Sequence, residues 1–227
     1  KSFTLGFIKS TIYFAFIMVV SLESPYIHKS YLRHIAESNV VRIVGQDGMG
    51  TGFHVKYKDK TFLLTNRHVC QMKGPLVAEM HGEKMGIARN IIKISDKHDL
   101  CILEPIADVK GLPVSDDALV DGDSAYTLGH PRGDALNIAS GEKFDDRAIQ
   151  MGAELNAEGT CDEGTKQEQM TMFGPYSFCV FSRSAVQIST PTFPGNSGSP
   201  VVNKYGYVVG IIFAGDPSIE NSGFYVP

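Results

Sequence analysis

Three side chains in this chain are of the types that carry out nucleophilic acyl chemistry, and they come in the order His68, Asp99, Ser197. Ser197 sits in Gly195-Asn196-Ser197-Gly198-Ser199-Pro200, a tight glycine-rich turn followed at once by the apolar pair Val201-Val202. A serine hydroxyl is a poor nucleophile at neutral pH and needs a base within hydrogen-bond reach. Histidine is the natural base because it titrates near neutrality. The histidine in turn needs a buried carboxylate to fix its tautomer and steady its charged form. Glycine permits the dihedrals that let the backbone N–H groups of Gly195 and Ser197 converge on one point, as an oxyanion hole requires. Alone, the hexapeptide fits an ordinary turn equally well, since Gly, Asn, Ser and Pro are what turns are made of.

Two further segments shift that balance. Thr65-Asn66-Arg67-His68-Val69 follows the apolar run Phe62-Leu63-Leu64, which places His68 at a strand end. His98-Asp99-Leu100-Cys101-Ile102-Leu103 puts a carboxylate at the head of another apolar run. Asp96 competes with Asp99 for the orienting role; Asp99 is preferred because the apolar residues after it draw it inward. Ser199 competes with Ser197, which has the better setting between Asn196 and Gly198. His130 reads as a structural loop residue.

The three segments, in this order, resemble the chymotrypsin-like (trypsin-fold) serine peptidases, most closely their HtrA-like branch. Gly50-Thr51-Gly52-Phe53, Gly129-His130-Pro131-Arg132-Gly133 and the run Gly206 to Ile211 are similar to that branch's motifs, and the resemblance runs from about Val40 to Pro227. Ser199 departs from it, standing where the HtrA-like pattern usually has glycine. The resemblance implies an all-β fold of two packed antiparallel six-stranded β-barrels with the active site between them. It implies a serine endopeptidase acting on polypeptides without a cofactor. Ser197 is then the nucleophile, His68 the base and Asp99 its orienter. The backbone N–H groups of Gly195, Asn196 and Ser197 are the oxyanion donors. The substrate pocket is walled by Pro191, Thr192, Phe213, Ala214, Gly215 and Gly223. None of these is charged, and the two glycines leave room, so an uncharged, apolar P1 residue is expected. The Phe213 to Gly215 edge suits pairing with an extended substrate.

Composition agrees with a turn-rich β protein: 23 glycines and 11 prolines among 227 residues, 43% hydrophobic, with many short apolar runs. The net charge of −4 and the lack of a basic stripe argue against nucleic acid as a partner. Short strands are expected at 40–44, 52–57, 61–65, 76–80, 87–94 and 99–103, forming barrel one (about 39–128). Others at 124–128, 137–144, 176–183, 185–189, 208–213 and 223–226 fall in or lead into barrel two (about 134–227). Together, 39–227 forms the peptidase domain.

Ahead of that domain, residues 3–22 are mostly apolar, with Lys1 and Lys9 on the N-terminal flank. Residues 1–23 read as a signal peptide or a membrane anchor, and either sends the rest across a membrane. Residues 24–38 read as an amphipathic helix with a stripe of Ile27, Tyr31 and Ile35, capped by Ser24-Pro25. Of the four cysteines, Cys161 and Cys179 are the expected bridge in an oxidising compartment. Cys70 and Cys101 lie near each other if the triad forms, as a bridge or as small buried hydrophobes. No cysteine or histidine spacing suggests a metal site. Residues 152–169 carry five acidic residues against Lys166 and show no apolar period. They read as a long surface loop that gates the cleft, contacts substrate or is simply solvated. Two rival readings stay open: an inactive protease-fold binding module, and a zymogen-like state with a collapsed oxyanion loop.

Overall fold

The computed structural model describes residues 25–81, 86–95, 98–153, 155, 158–161, 164–216, 219 and 221–227. The apolar stretch 3–22 and Asp96 lie outside them, and among the described residues no helix is long and apolar enough to cross a membrane.

Helix α1 (Pro25–Asn39) runs straight into strand β1 (Val40–Val44). The remaining elements of the first half are β2 (Met49–Tyr57), β3 (Lys60–Thr65), the single-turn helix α2 (Arg67–Cys70), β4 (Leu76–Met80), β5 (Ile87–Arg89), β6 (Ile91–Ile94), β7 (Cys101–Leu103) and β8 (Leu112–Pro113). Their sheet runs in the order β5-β4-β1-β2-β3-β7-β6, with β8 added in parallel to β2. The expected single strand 87–94 is therefore two. At Asn90 the chain turns from pairing with β4 to pairing with β7. A sheet that closes on itself needs one strand to serve both edges, and this bend does so. Counted that way, barrel one has its expected six strands plus the short β8.

The second half contains β9 (Ser124–Gly129), a 3₁₀ turn (Pro131–Gly133), β10 (Asn137–Ala153), β11 (Thr165–Thr171), β12 (Gly174–Ile188), β13 (Pro200–Val202), β14 (Val208–Gly215) and β15 (Gly223–Val226). β10 pairs with β9 through its first residues and with β12 through the rest, which closes the ring β10-β9-β13-β14-β15-β12. Barrel two is thus six-stranded as well, with β11 attached outside β12. Residues 152–169 are not one loop: β10 reaches Ala153, and Thr165 to Gln169 belong to β11. Every residue of β11 is exposed, so neither face imposes the alternation that betrays a half-buried strand. The expected strands 176–183 and 185–189 are likewise one, continuous through Ser184 in β12.

The cores follow from this topology. Val41, Ile43, Leu63, Val69, Leu76 and Leu103 fill barrel one. Val186, Ile188, Val201, Ile212 and Tyr225 fill barrel two. A third cluster occupies the seam: Phe53 and Val55 from the first half, Leu128, Val202 and Val208 from the second, and Leu32 and Ala36 from α1. The helix buries Leu32 and Ala36, with Ile35 beside them, whereas Tyr31 is exposed. The stripe is shifted from the expected one because α1 straddles both barrels. Tyr31 Oη donates to Tyr205 O at 3.2 Å, and His28 Nε2 lies 2.7 Å from Lys204 O, pinning the helix to barrel two.

Candidate active site

His68 and Asp99 form a hydrogen-bonded pair. His68 Nδ1 lies 2.8 Å from Asp99 Oδ2, and the His68 backbone N–H donates to Asp99 Oδ1 at 3.1 Å. Asn66 Nδ2 donates to the Asp99 carbonyl at 3.0 Å, which ties the loop before β7 to the start of α2. Two residues beyond each partner, a Cys70–Cys101 disulfide joins the same two segments. The bridge thus forms, as does Cys161–Cys179. The Asp99 side chain is 8% exposed and that of His68 47%, so the carboxylate is buried and the ring opens to solvent. Burial pushes the Asp99 carboxyl up. The hydrogen bond and charge of the His68 ring, the His68 N–H and the Arg183 guanidinium outweigh it and hold it below the usual carboxylate value.

Ser197 lies in the turn that leads into β13 of barrel two. Its turn is set into β2: the Thr51 N–H donates to Ser197 O at 2.8 Å, and Thr51 Oγ1 donates to Gly195 O at 2.8 Å. Thr65 Oγ1, at the end of β3, donates to Thr51 O at 2.7 Å. At Gly50 a Cβ would come within 2.7 Å of a Val69 methyl and 3.1 Å of Ser197 O. The absent side chain at that one position therefore lets the His68 helix and the serine turn approach the same strand. Gly198, at φ +87°, packs against Thr51 O and Thr65 Oγ1 and has no room for a side chain. Thr51 is the residue that reading the sequence missed as a site element. Its position between two glycines ahead of the histidine segment was the available signal.

The turn's peptide orientation is specific. Phe193-Pro194-Gly195-Asn196 closes with the Asn196 N–H on Phe193 O at 3.0 Å, and Gly195 has φ +94°. Proline followed by a positive-φ glycine is the pattern of a type II turn. The Arg132 N–H takes Pro194 O at 2.5 Å, and the Arg132 guanidinium lies 4.4 Å from the Phe193 ring centroid. In a trans peptide the N–H points opposite to the carbonyl. With Pro194 O turned toward Arg132, the Gly195 N–H faces away from it. Neither that N–H nor the Ser197 N–H has a partner among the described residues. The Asn196 N–H is spent on Phe193 O, so Asn196 leaves the set of expected oxyanion donors. Ser199 is fully buried and Ser197 half-buried, which separates the two serines. His130 is buried, with Nδ1 3.0 Å from Asp134 O and its N–H on Thr51 Oγ1, a structural role.

Of the expected pocket residues, Thr192, Gly215 and Gly223 lie against one another. A Cβ on Gly223 would strike Thr192 Oγ1, and one on Gly215 would meet Thr192 Cβ at 3.0 Å. The Thr192 side chain thus packs directly against both glycines. Phe213 is buried with Ala185 and Phe224, so only its backbone is available to the cleft. Pro191 and Ala214 are half-buried at the rim. Beyond Ile212, the edge of β14 away from β15 carries no strand among the described residues.

The profile of the trypsin-like peptidase domain matches residues 50–211, most of the chain, including all the residues just described except those after the start of the last hairpin. The chain belongs to the trypsin-like peptidase family. Within it, the relatives are of HtrA type. A Staphylococcus aureus serine protease HtrA-like is 26% identical over 80% of this chain and 22% of its own length. The Bacillus subtilis serine protease Do-like HtrB is 27% identical over 76% of this chain and 34% of its own. The chain thus spans about a fifth to a third of the length of these relatives. Among solved structures, the Rv3671c protease of M. tuberculosis superimposes in its inactive form (TM-score 0.65, 18% identity, 89% of this chain and 90% of that one). Its active form does so equally well (TM-score 0.66, 18% identity, 89% and 82%). A serine endoprotease from Yersinia pestis gives 0.65 at 18% identity over 90% of this chain and 64% of its own. These superpositions establish the peptidase fold. Since active and inactive forms match alike, the state of the site has to be read from its own hydrogen bonds.

Proposed function

We propose that this peptidase domain is a serine endopeptidase using Ser197, His68 and Asp99, with Gly195 and Ser197 supplying the oxyanion donors. The observation that carries the reading is the Pro194–Gly195 peptide, whose carbonyl is held by Arg132. That orientation supports an assembled oxyanion hole over a collapsed, zymogen-like one. In the reaction Ser197 Oγ attacks the peptide carbonyl while His68 takes its proton. The tetrahedral oxyanion sits on the two free N–H groups. His68 then gives the proton to the leaving amine, and water repeats the cycle on the acyl-enzyme. Asp99, already bonded to Nδ1, leaves Nε2 as the atom that exchanges protons. The Ser197 hydroxyl has no hydrogen bond among the described residues, in keeping with sites that tighten only around substrate.

The pocket residues support a small, uncharged P1 residue, because Thr192 stands against both glycines and none of the six expected wall residues is charged. The free edge at 213–215 supports substrate pairing by strand addition. Two disulfides support a working place outside the reducing cytoplasm. In this reading residues 1–23 export or tether the chain, 24–38 brace the seam and 39–227 form the catalytic unit.

The test is labelling by a serine-directed fluorophosphonate, with the modified residue located by mass spectrometry and Ser197→Ala as control. Label on Ser197 that vanishes in the variant upholds the reading. Absence of label on folded protein refutes it and favours a binding module or a state that needs an activator.

A further inference from the structure

Asp99 has a second partner, and it comes from the other barrel. Arg183 lies on β12 opposite Ile149 of β10, and its Nη1 is 3.8 Å from Asp99 Oδ2. The guanidinium carbon is 5.2 Å from the Phe181 ring centroid and 5.7 Å from that of Phe213, so it packs against rings of both β12 and β14. Both charged side chains are largely withdrawn from water, at 15% and 8% exposure, and so are weakly screened.

We propose that Arg183 is a positioning residue of the triad, which holds the Asp99 carboxylate across the inter-barrel cleft and sets the pH range in which His68 works as a base. This rests on the peptidase reading above. Among the described residues, the charged or titratable groups acting on the Asp99 carboxylate are His68 from α2 and Arg183 from β12. The two cations share one carboxylate. Arg183 is permanently charged, whereas the imidazole is charged only when it holds the extra proton. Arg183 therefore offsets part of the negative charge that would favour the imidazolium. That offset favours the neutral ring, the form that accepts the Ser197 proton, over the imidazolium. Arg183 also rests on the ring of Phe213, the first residue of the free β14 edge. Anything that seats on that edge is then one side chain away from the orienting carboxylate.

The experiment compares wild type, Arg183→Gln and Arg183→Lys in the full chain. The second-order rate of fluorophosphonate labelling at Ser197 is followed from about pH 5 to about pH 9, where its acid limb reports the essential base of the free enzyme. Thermal melting monitors folding, and Arg183→Met replaces the glutamine variant if that one fails to fold. The neutral variant is expected to move the acid limb upward by about half to one pH unit, and lysine to restore most of the wild-type position. Superimposable acid limbs, or a shift to lower pH, overturn the inference while leaving the peptidase reading intact, because wild type is still labelled. A wild type never labelled at any pH sinks both.

Discussion

Barrel one and barrel two contribute to the site by different means. Barrel one supplies side chains, His68 and Asp99, locked to each other by two hydrogen bonds and joined by the Cys70–Cys101 bridge two residues downstream. Barrel two supplies a backbone shape, the Pro194 to Gly198 turn, in which two glycines at positive φ carry one serine. The first half is guarded by specific chemistry and the second by the absence of side chains. A near-isosteric change of functional group should therefore cripple the first, whereas one added methyl should cripple the second.

The largest effect tests the serine that this turn carries. Ser197→Ala should cut kcat on casein by on the order of 10⁶, with an unchanged melting temperature. Next, Asp99→Asn keeps the shape of barrel one's half and alters only its chemistry. A loss of about 10⁴ in kcat is expected; a loss under tenfold would mean the carboxylate is dispensable. Gly195→Ala is the matching test of shape. Its Cβ would stand 2.5 Å from His130 O at φ +94°. Distorting one oxyanion donor should lower kcat by about 10²–10³ with KM little changed. Should KM alone rise, the turn would be serving binding rather than the transition state. Loss of the bridge is smaller in activity and larger in stability. A Cys70→Ala/Cys101→Ala double variant should lose about 2–4 kcal/mol in urea unfolding.

The smallest effect concerns acid. The Asp99 carboxyl is held below its ordinary value of 3.8, so its contribution to stability is complete above that value and is lost as pH falls through the lower, folded one. Wild type should lose more unfolding free energy than Asp99→Asn between about pH 6 and about pH 3. Parallel losses in the two proteins would mean that the His68–Asp99 pair does not stabilise the fold.

Much of this was legible in the sequence, for reasons that differ by residue. Strands facing a core, such as Thr61–Thr65 and Val208–Phe213, declare themselves by apolar runs between turn residues. The exposed strand β11 does not, because a strand wet on both faces has no pattern to show. The bend at Asn90 is set by which neighbours each half pairs with, which no local signal encodes. His68, Asp99 and Ser197 stand in distinctive local settings, so each could be picked out alone. Arg183 could not: its contact with Asp99 depends on a strand of the other barrel passing beside it. The contact of Thr192 with Gly215 and Gly223 is likewise a matter of which strands meet, which no local pattern shows.

The Cys70–Cys101 bridge has a consequence under the proposed peptidase activity. It spans β4, β5 and β6, and the Cys161–Cys179 bridge spans β11 and the start of β12. A self-inflicted nick anywhere between 71 and 100, or between 162 and 178, leaves both fragments covalently joined and paired within their barrel. Such a molecule would run as one band without reductant and as two with it, so intact mobility on a non-reducing gel is no measure of an intact chain.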